Sequence, residues 1–112
     1  MATYDKAHEL ARDLKLSEEY KEYQRARQDL EKSEAALSIL KEYQRKRWEF
    51  EMDYLAGKEA DGSKKQEFEK ITELVNMHGP VKRFLEAEAR IMVVMTDIQK
   101  ILTEALNLLD YR

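Results

Sequence analysis

Residues 80–109 of this 112-residue chain, PVKRFLEAEARIMVVMTDIQKILTEALNLL, are the clearest indication of its fold class. The apolar residues of this stretch recur every three or four positions, and no glycine interrupts them, which is typical of an amphipathic helix. At 1.5 Å per residue, such a helix is roughly 45 Å long. We therefore predict one long helix over residues 80–109 and interpret the rest of the chain around it.

The apolar face of this helix is wider than one core requires. Its apolar side chains fill four adjacent columns spanning roughly 160° of the helical wheel, whereas a helix that faces one core needs about 100°. Either the monomer buries the whole helix, or a second chain covers part of it. We favour the second chain, because apolar patches of this size are rare on monomers. The predicted interface residues, on helices three and five, are Trp48, Leu55, Met92, Met95, Ile98, Leu102 and Leu106.

Capping signals divide the remaining sequence into four further helices. Ser17 and Ser33 precede acidic residues and are typical N-cap positions. Gly57 ends the third helix, Ser63 forms a capping box with the Gln three positions on, and HGP at residues 78–80 separates the last two helices. The first two helices each turn a shorter apolar face toward the core. The sequence therefore predicts an all-α, five-helix bundle-like single domain, completed by dimerisation, with helices at residues 4–15, 18–32, 34–56, 63–78 and 80–109.

The composition limits the function classes. The absence of cysteine excludes disulfides, thiolate-bound zinc and thiolate-bound iron–sulfur clusters. A net charge of −3 provides no global attraction to nucleic acid or anionic lipid. The sequence has no apolar run of membrane-spanning length and no apolar N-terminal stretch typical of a signal peptide. We therefore expect a soluble cytoplasmic protein without membrane partners.

The segment KEYQRAR, residues 21–27, returns as KEYQRKR at residues 41–47. On a helix, the Tyr and Arg four positions apart lie side by side, so that the Arg can stack on the ring. The other basic residues project to the opposite face among acidic residues, which indicates a solvated charged face. We interpret the repeat as helix patterning. The alternative is a nucleic-acid-binding module, whose contacts would be Lys21, Arg25, Lys41, Arg45, Lys46, Lys82 and Arg83.

The sequence contains no catalytic, cofactor or metal-binding motif. His8 begins HELAR, but Arg12 occupies the position where a zinc protease needs its second His. No phosphate-binding glycine loop or supported Ser–His–Asp set is present. An enzyme with an unrecognised helical site is a further alternative, and it would need a perturbed acid such as Glu88. We predict no enzymatic activity, no metal and no cofactor.

Arg47 on helix three and Glu88 on helix five each place a charge on an otherwise apolar seam. Burying either charge alone would cost several kcal/mol. We therefore predict an ion pair between Glu88 and Arg47, or else Arg27, either within one chain or between two. Such a pair would set helix register more than add stability.

Five segments carry a resemblance to known proteins: YDKAHELA (4–11), SEEYKEY (17–23), GKE (57–59), FLEAEARIM (84–92) and DIQKI (97–101). They resemble the YlbF/YmcA family of small helical bacterial proteins, most of all its YheA-like branch. Characterised members regulate competence, sporulation and biofilm formation, in complexes that assist the messenger-RNA endonuclease RNase Y. The resemblance covers nearly the whole chain and implies an all-helical, dimeric or larger protein of the bacterial cytoplasm. This chain departs from the family in lacking the cysteines through which the regulatory complex holds iron–sulfur clusters.

These observations predict a non-enzymatic helical interaction or regulatory adaptor protein. We expect it to self-associate through the apolar faces of helices three and five, as a homodimer or higher homo-oligomer. The resemblance adds regulatory protein partners and a link to RNA processing or developmental regulation.

Overall fold

The computed structural model describes residues 1–58 and 62–108, and within them the chain forms α-helices and no strand. The helices are α1 (Ala2–Lys15), α2 (Glu18–Glu31), α3 (Glu34–Leu55), α4 (Gly62–Met77) and α5 (Gly79–Leu106). The predicted all-α, five-helix class is confirmed, and each helix begins and ends within three residues of its predicted position. Among the helices described, none combines the length and the apolar character needed to cross a membrane.

The N-termini of α2 and α3 are capped as predicted. The backbone N–H of Tyr20 donates to Ser17 Oγ at 3.2 Å, and that of Ala36 donates to Ser33 Oγ at 3.1 Å. Each hydroxyl satisfies one of the N–H groups that a helix leaves unpaired at its start. The capping box predicted at Ser63 is wrong, because α4 already includes Gly62 and Ser63 lies inside its first turn.

The C-termini of α3 and α5 are closed by residues in the left-handed conformation. Gly57 has a φ of 71°, and the N–H of Lys58 donates back to the Asp53 carbonyl at 2.9 Å. Asn107, with a φ of 53°, ends α5 in the same way. Glycine and asparagine tolerate this conformation best, so they commonly follow a helix. Helix α5 therefore ends at Leu106 and not at residue 109, which lies outside the described residues.

The chain divides into two compact units. The core unit comprises Ala26–Leu85, and the terminal unit comprises Met1–Arg25 together with the residues from Glu86 onward. Helices α2 and α5 each contribute to both units. The predicted single-domain organisation stays a prediction.

The core unit is built around the packing of α3 on α4. The Phe68 ring meets those of Tyr43 and Phe50 edge to face, with centroids 6.0 and 5.1 Å apart. Tyr54, one turn beyond Phe50 on α3, is 78% exposed, so this packing ends before the C-terminus of the helix. The buried side chains of this unit are Ala26, Leu30, Ala36, Leu40, Ile71, Val75, Val81 and Phe84.

The terminal unit buries much less. Among its described residues only Ala87 is buried, and α1 contributes no buried residue at all. An ion pair between Arg90 Nη2 and Glu22 Oε2, at 3.1 Å, links α5 to α2. Both side chains are about half exposed, so this pair adds at most about 1 kcal/mol. The apolar side chains of the terminal unit are therefore largely available for other contacts.

Candidate interaction surface

The predicted interface residues of α5 share one face of the helix, and most of them are exposed. Met92, Leu102 and Leu106 are each more than half exposed, Met95 is 37% exposed, and Ile98 is partly buried. Met95 and Leu102 lie seven residues apart, which is about two turns, so their side chains point in nearly the same direction. We call these five residues the α5 face.

An apolar groove opens beside the N-terminal part of the α5 face. Its volume is about 390 Å³. Helix α5 forms one wall with Met92 and Met95, together with Ile91 and the predicted acid Glu88. Helices α1 and α2 form the other wall. The residues from these two helices are Ala11, Leu14, Lys15, Tyr20 and Tyr23.

Helix α1 lines this groove with Ala11, Leu14 and Lys15, and none of its residues is buried. It is 14 residues long, and helices of about this length are marginal in water when isolated. Its apolar stripe is largely uncovered, because Tyr4 is 64% and Leu10 40% exposed, and Leu14 is only partly buried. A partner that covered the groove and the stripe would supply the burial that α1 lacks.

A second exposed apolar patch lies on α3 in the core unit. Trp48, Met52 and Leu55 recur at the spacing that places side chains on one side of a helix. Trp48 is 61% exposed and Leu55 is 74% exposed. The two α3 residues of the predicted interface are therefore accessible on the surface of the core unit.

In the structure, both arginines of the predicted seam ion pair, Arg47 and Arg27, contact a residue of their own helix. The Arg47 guanidinium lies 5.6 Å from the centroid of the Tyr43 ring, so the Tyr–Arg stacking predicted for the second KEYQR copy is confirmed. In the first copy, Arg27 Nε donates to Glu31 Oε1 at 3.0 Å. Glu88 lies in the groove wall and is partly buried. The pairing of Glu88 with either Arg stays a prediction.

Basic residues of the two KEYQR copies pair with carboxylates on the protein itself. Lys21 lies 4.0 Å from Glu18, and Arg45 lies 2.9 Å from Glu42, whose hydrogen bond raises the pKa of Arg45. A carboxylate that already pairs with a cation competes with a phosphate for it. The charged face around these two pairs is therefore mixed, as the sequence indicates.

Lys46 differs from those surface pairs because its partner belongs to another helix. Its Nζ lies 2.6 Å from Glu67 Oε2, so the contact joins α3 to α4. The Lys46 side chain is only 16% exposed, and the hydrogen bond to Glu67 raises the pKa of Lys46 above its ordinary value. Lys46 thus belongs to the packing of the core unit.

The described residues contain no cluster of three or more His, Asp or Glu side chains that could hold a metal ion. His78 lies between α4 and α5, and its Nδ1 is buried without a hydrogen-bond partner. Its backbone carbonyl accepts from the N–H of Lys82 at 3.0 Å, within the first turn of α5.

The sequence pattern does not predict the α1–α2 wall of the groove. The sequence predicts that the apolar faces of the first two helices turn toward the core. In the structure, Leu14, Tyr20 and Tyr23 on these faces are only partly buried and line an open groove. Periodicity identifies an apolar face but not the element that covers it. The available signal was the number of apolar faces, since five helices of this size offer more apolar surface than one small core can bury.

Comparisons with known proteins agree on a family and on a fold. The family model described as "Control of competence regulator ComK, YlbF/YmcA" matches residues 3–107. A UPF0342 protein of Halothermothrix orenii is 37% identical over 108 residues, which cover 96% of this chain and 92% of that protein. A UPF0342 protein of Symbiobacterium thermophilum is 33% identical, with 93% of each chain covered.

The fold is also similar to a solved structure. A protein from Bacillus stearothermophilus, titled "Protein of Unknown Function (DUF964)", superimposes with a TM-score of 0.77. The match covers 96% of this chain and 94% of the other, at 16% identity. At that identity the likeness concerns the all-helical fold alone.

Proposed function

Because this chain belongs to the YlbF/YmcA family, we propose that it is a non-enzymatic helical adaptor protein of the bacterial cytoplasm. In this proposal it self-associates through the apolar faces of α5 and α3 and, as a homodimer or higher homo-oligomer, binds regulatory protein partners. The family description, which concerns control of a competence regulator, supports the regulatory part. The exposed apolar surface supports the self-association.

The observation that carries the proposal is the exposure of the α5 face. Met92, Leu102 and Leu106 lie on one side of a 28-residue helix and are each more than half exposed. Fully burying such a side chain contributes roughly 1.5–3 kcal/mol, so covering several of them is strongly favourable. Contiguous exposed apolar surface of this kind is typical of a protein–protein contact.

The self-association can be tested with two matched substitutions on α5. Leu102 and Val93 are 55% and 59% exposed, and they lie nine residues apart, so their side chains point in opposite directions. We expect the wild-type protein to be dimeric or larger at micromolar concentration by multi-angle light scattering. Leu102→Asp should produce monomers, because it places an unpaired charge in the interface.

Val93→Asp is the control and should leave the assembly intact. Both variants should keep the helical circular dichroism of the wild type, because both side chains are exposed in the isolated chain. A wild-type protein that stays monomeric at micromolar concentration would contradict the proposal. Equal effects of the two variants would remove its link to the α5 face.

The adaptor role requires a protein partner as well as self-association. Affinity capture from an extract of the native host, followed by mass spectrometry, identifies candidates. A candidate counts only when the purified protein binds directly and with a defined stoichiometry. Trp48→Asp tests whether the exposed α3 patch takes part, with Glu51→Asp on the same helix as a control that keeps its charge.

A further inference from the structure

The terminal unit carries two apolar features of opposite shape on the same face of α5. One is the groove, whose α5 wall extends from Glu88 to Met95. The other is a ridge formed by Leu102 and Leu106, which are both more than half exposed. Met95 and Leu102 are two turns apart on one side of the helix, so the ridge continues the line of the groove wall.

We propose that the groove of one copy receives the ridge of a second copy, and the reverse, in an antiparallel two-fold pairing of α5. The proposal rests on the self-association proposed above and specifies its geometry. Residue Ile98, midway between groove and ridge, then lies next to the two-fold axis.

Both halves of this contact are present on one chain, which is what a two-fold interface requires. In such an interface a residue i contacts a residue j of the other chain, and j contacts i in return. A stable interface covers about 800 Å² on each partner. Neither the groove nor the short ridge alone approaches that area, but a reciprocal contact buries both of them on each copy, together with the side chains between them.

The spacing along α5 determines where the axis lies. The middle of the α5 groove wall, between Ile91 and Met92, and the middle of the ridge, at residue 104, are about twelve residues apart, or roughly 19 Å at 1.5 Å per residue. An antiparallel exchange of groove and ridge places the axis halfway, beside Ile98. Ile98 is the member of the α5 face that is already partly buried.

The charge on this face favours the antiparallel direction. Among the α5 residues of the groove and ridge, only Glu88 is charged. A parallel pairing would bring the two Glu88 carboxylates together, and like charges in an apolar contact repel strongly. With the axis beside Ile98, the two carboxylates are about 30 Å apart, well beyond the screening length of about 8 Å at physiological salt.

The same arrangement explains the exposed stripe of α1. Helix α1 forms the far wall of the groove through Ala11 and Leu14, so a ridge in the groove packs against it. The second copy then supplies the apolar contacts that stabilise a helix of 14 residues. Folding of α1 and pairing of α5 are therefore coupled.

Single cysteines provide a direct test, because the wild-type chain has none. A short bis-maleimide reacts only with the introduced thiols. We expect Ile98→Cys to cross-link to itself and give a covalent dimer. Met92→Cys and Leu106→Cys should not cross-link alone, but an equilibrated one-to-one mixture of the two should, because the groove of one copy meets the ridge of the other.

Val93→Cys is the matched control, since it has similar exposure but lies on the opposite side of α5. It should remain monomeric under denaturing electrophoresis. Self-cross-linking of Met92→Cys to the extent of Ile98→Cys would indicate a parallel pairing and overturn the proposal. A wild-type dimer without cross-linking of Ile98→Cys or of the mixture would overturn the geometry alone, whereas a wild-type monomer would overturn self-association as well.

Discussion

Among the described residues, eight apolar side chains are buried in the core unit, whereas only Ala87 is buried in the terminal unit. Both units are helical, and both contain helices with a clear apolar face. They differ in what covers that face: in the core unit α3 and α4 pack on each other, while in the terminal unit α5 faces an open groove. The difference distinguishes buried side chains, which stabilise the fold, from exposed apolar side chains, which are available to contact another chain.

We expect the largest difference when the same leucine-to-alanine substitution is made separately in each unit and the free energies of unfolding are compared. Leu30 is 2% exposed and Leu102 is 55% exposed, although both are leucines on helices. We expect Leu30→Ala to lower the free energy of unfolding by about 2–5 kcal/mol, through lost burial and the cavity it leaves. Leu102→Ala should change the stability of the monomer by less than about 0.5 kcal/mol.

Urea unfolding at a concentration low enough for the monomer to dominate measures both values. At high concentration the Leu102 variant should lose stability as well, because association adds to the apparent stability of the folded state. Equal losses for the two variants in the monomer would abolish the distinction between the units.

A smaller effect is expected from removing the two serine caps. Ser33 caps α3 in the core unit, and Ser17 caps α2 in the terminal unit, through hydrogen bonds of similar length. Each Ser→Ala change removes one cap, which typically costs about 1 kcal/mol. We expect Ser33→Ala to lower the global unfolding free energy by about that amount.

Ser17→Ala should act locally, on the turn between α1 and α2. Native-state hydrogen exchange separates the two outcomes, because local opening leaves the protection of the core amides unchanged. If Ser17→Ala lowered the protection of core amides as much as Ser33→Ala does, the terminal unit would contribute to global stability like the core.

The predicted seam ion pair provides a finer test, because Arg47 belongs to the core unit and Glu88 to the terminal unit. A double-mutant cycle with Arg47→Met and Glu88→Gln, followed by thermal unfolding, measures their coupling. We expect a coupling free energy of at least about 0.5 kcal/mol, the lower end of the range for residues in contact.

Arg27→Met in place of Arg47→Met tests the other predicted partner in the same cycle. Simple additivity in both cycles would show that neither Arg pairs with Glu88. Strict dependence of the coupling on protein concentration would instead place the pair between two chains.

The smallest effect concerns pH and the packing of α3 on α4. The hydrogen bond to Glu67 raises the pKa of Lys46 above its ordinary value of 10.5. A group with a raised pKa stabilises the folded state fully at pH values below the pKa that it has in the unfolded chain. This stabilisation is lost as the pH rises through the pKa that the group has in the folded protein. We expect the melting temperature of the wild-type protein to fall slightly more between pH 9 and 12 than the melting temperature of the Lys46→Met variant.

The Lys64→Met variant is a matched control for this comparison. Lys64 also contacts a carboxylate across the two helices, at 3.3 Å from Asp53, but its side chain is 51% exposed. Its pH dependence should therefore stay closer to that of the wild type. Parallel pH profiles for the wild type and Lys46→Met would mean that the Lys46 contact contributes nothing to stability.

Local signals predicted the helices well because they act over a few residues. A serine hydroxyl reaches an N–H three residues on, and Gly57 adopts a conformation that other residues avoid, so these boundaries follow from nearby sequence. Prediction was poorer at the end of α5. There the apolar pattern continues beyond Leu106, although Asn107 takes the left-handed conformation that ends the helix.

Four features follow from residue type and from spacing within one helix: the all-α class, the five helices, the stacking of Arg47 on Tyr43 and the excess of apolar surface on α5. Which apolar faces are covered depends instead on tertiary packing. Leu30 is buried, whereas the equally apolar Leu102 is exposed beyond a groove that α1 and α2 help to form. The physical reason is that burial is a property of contacts between elements distant in sequence, and helical periodicity carries no information about which element supplies the contact.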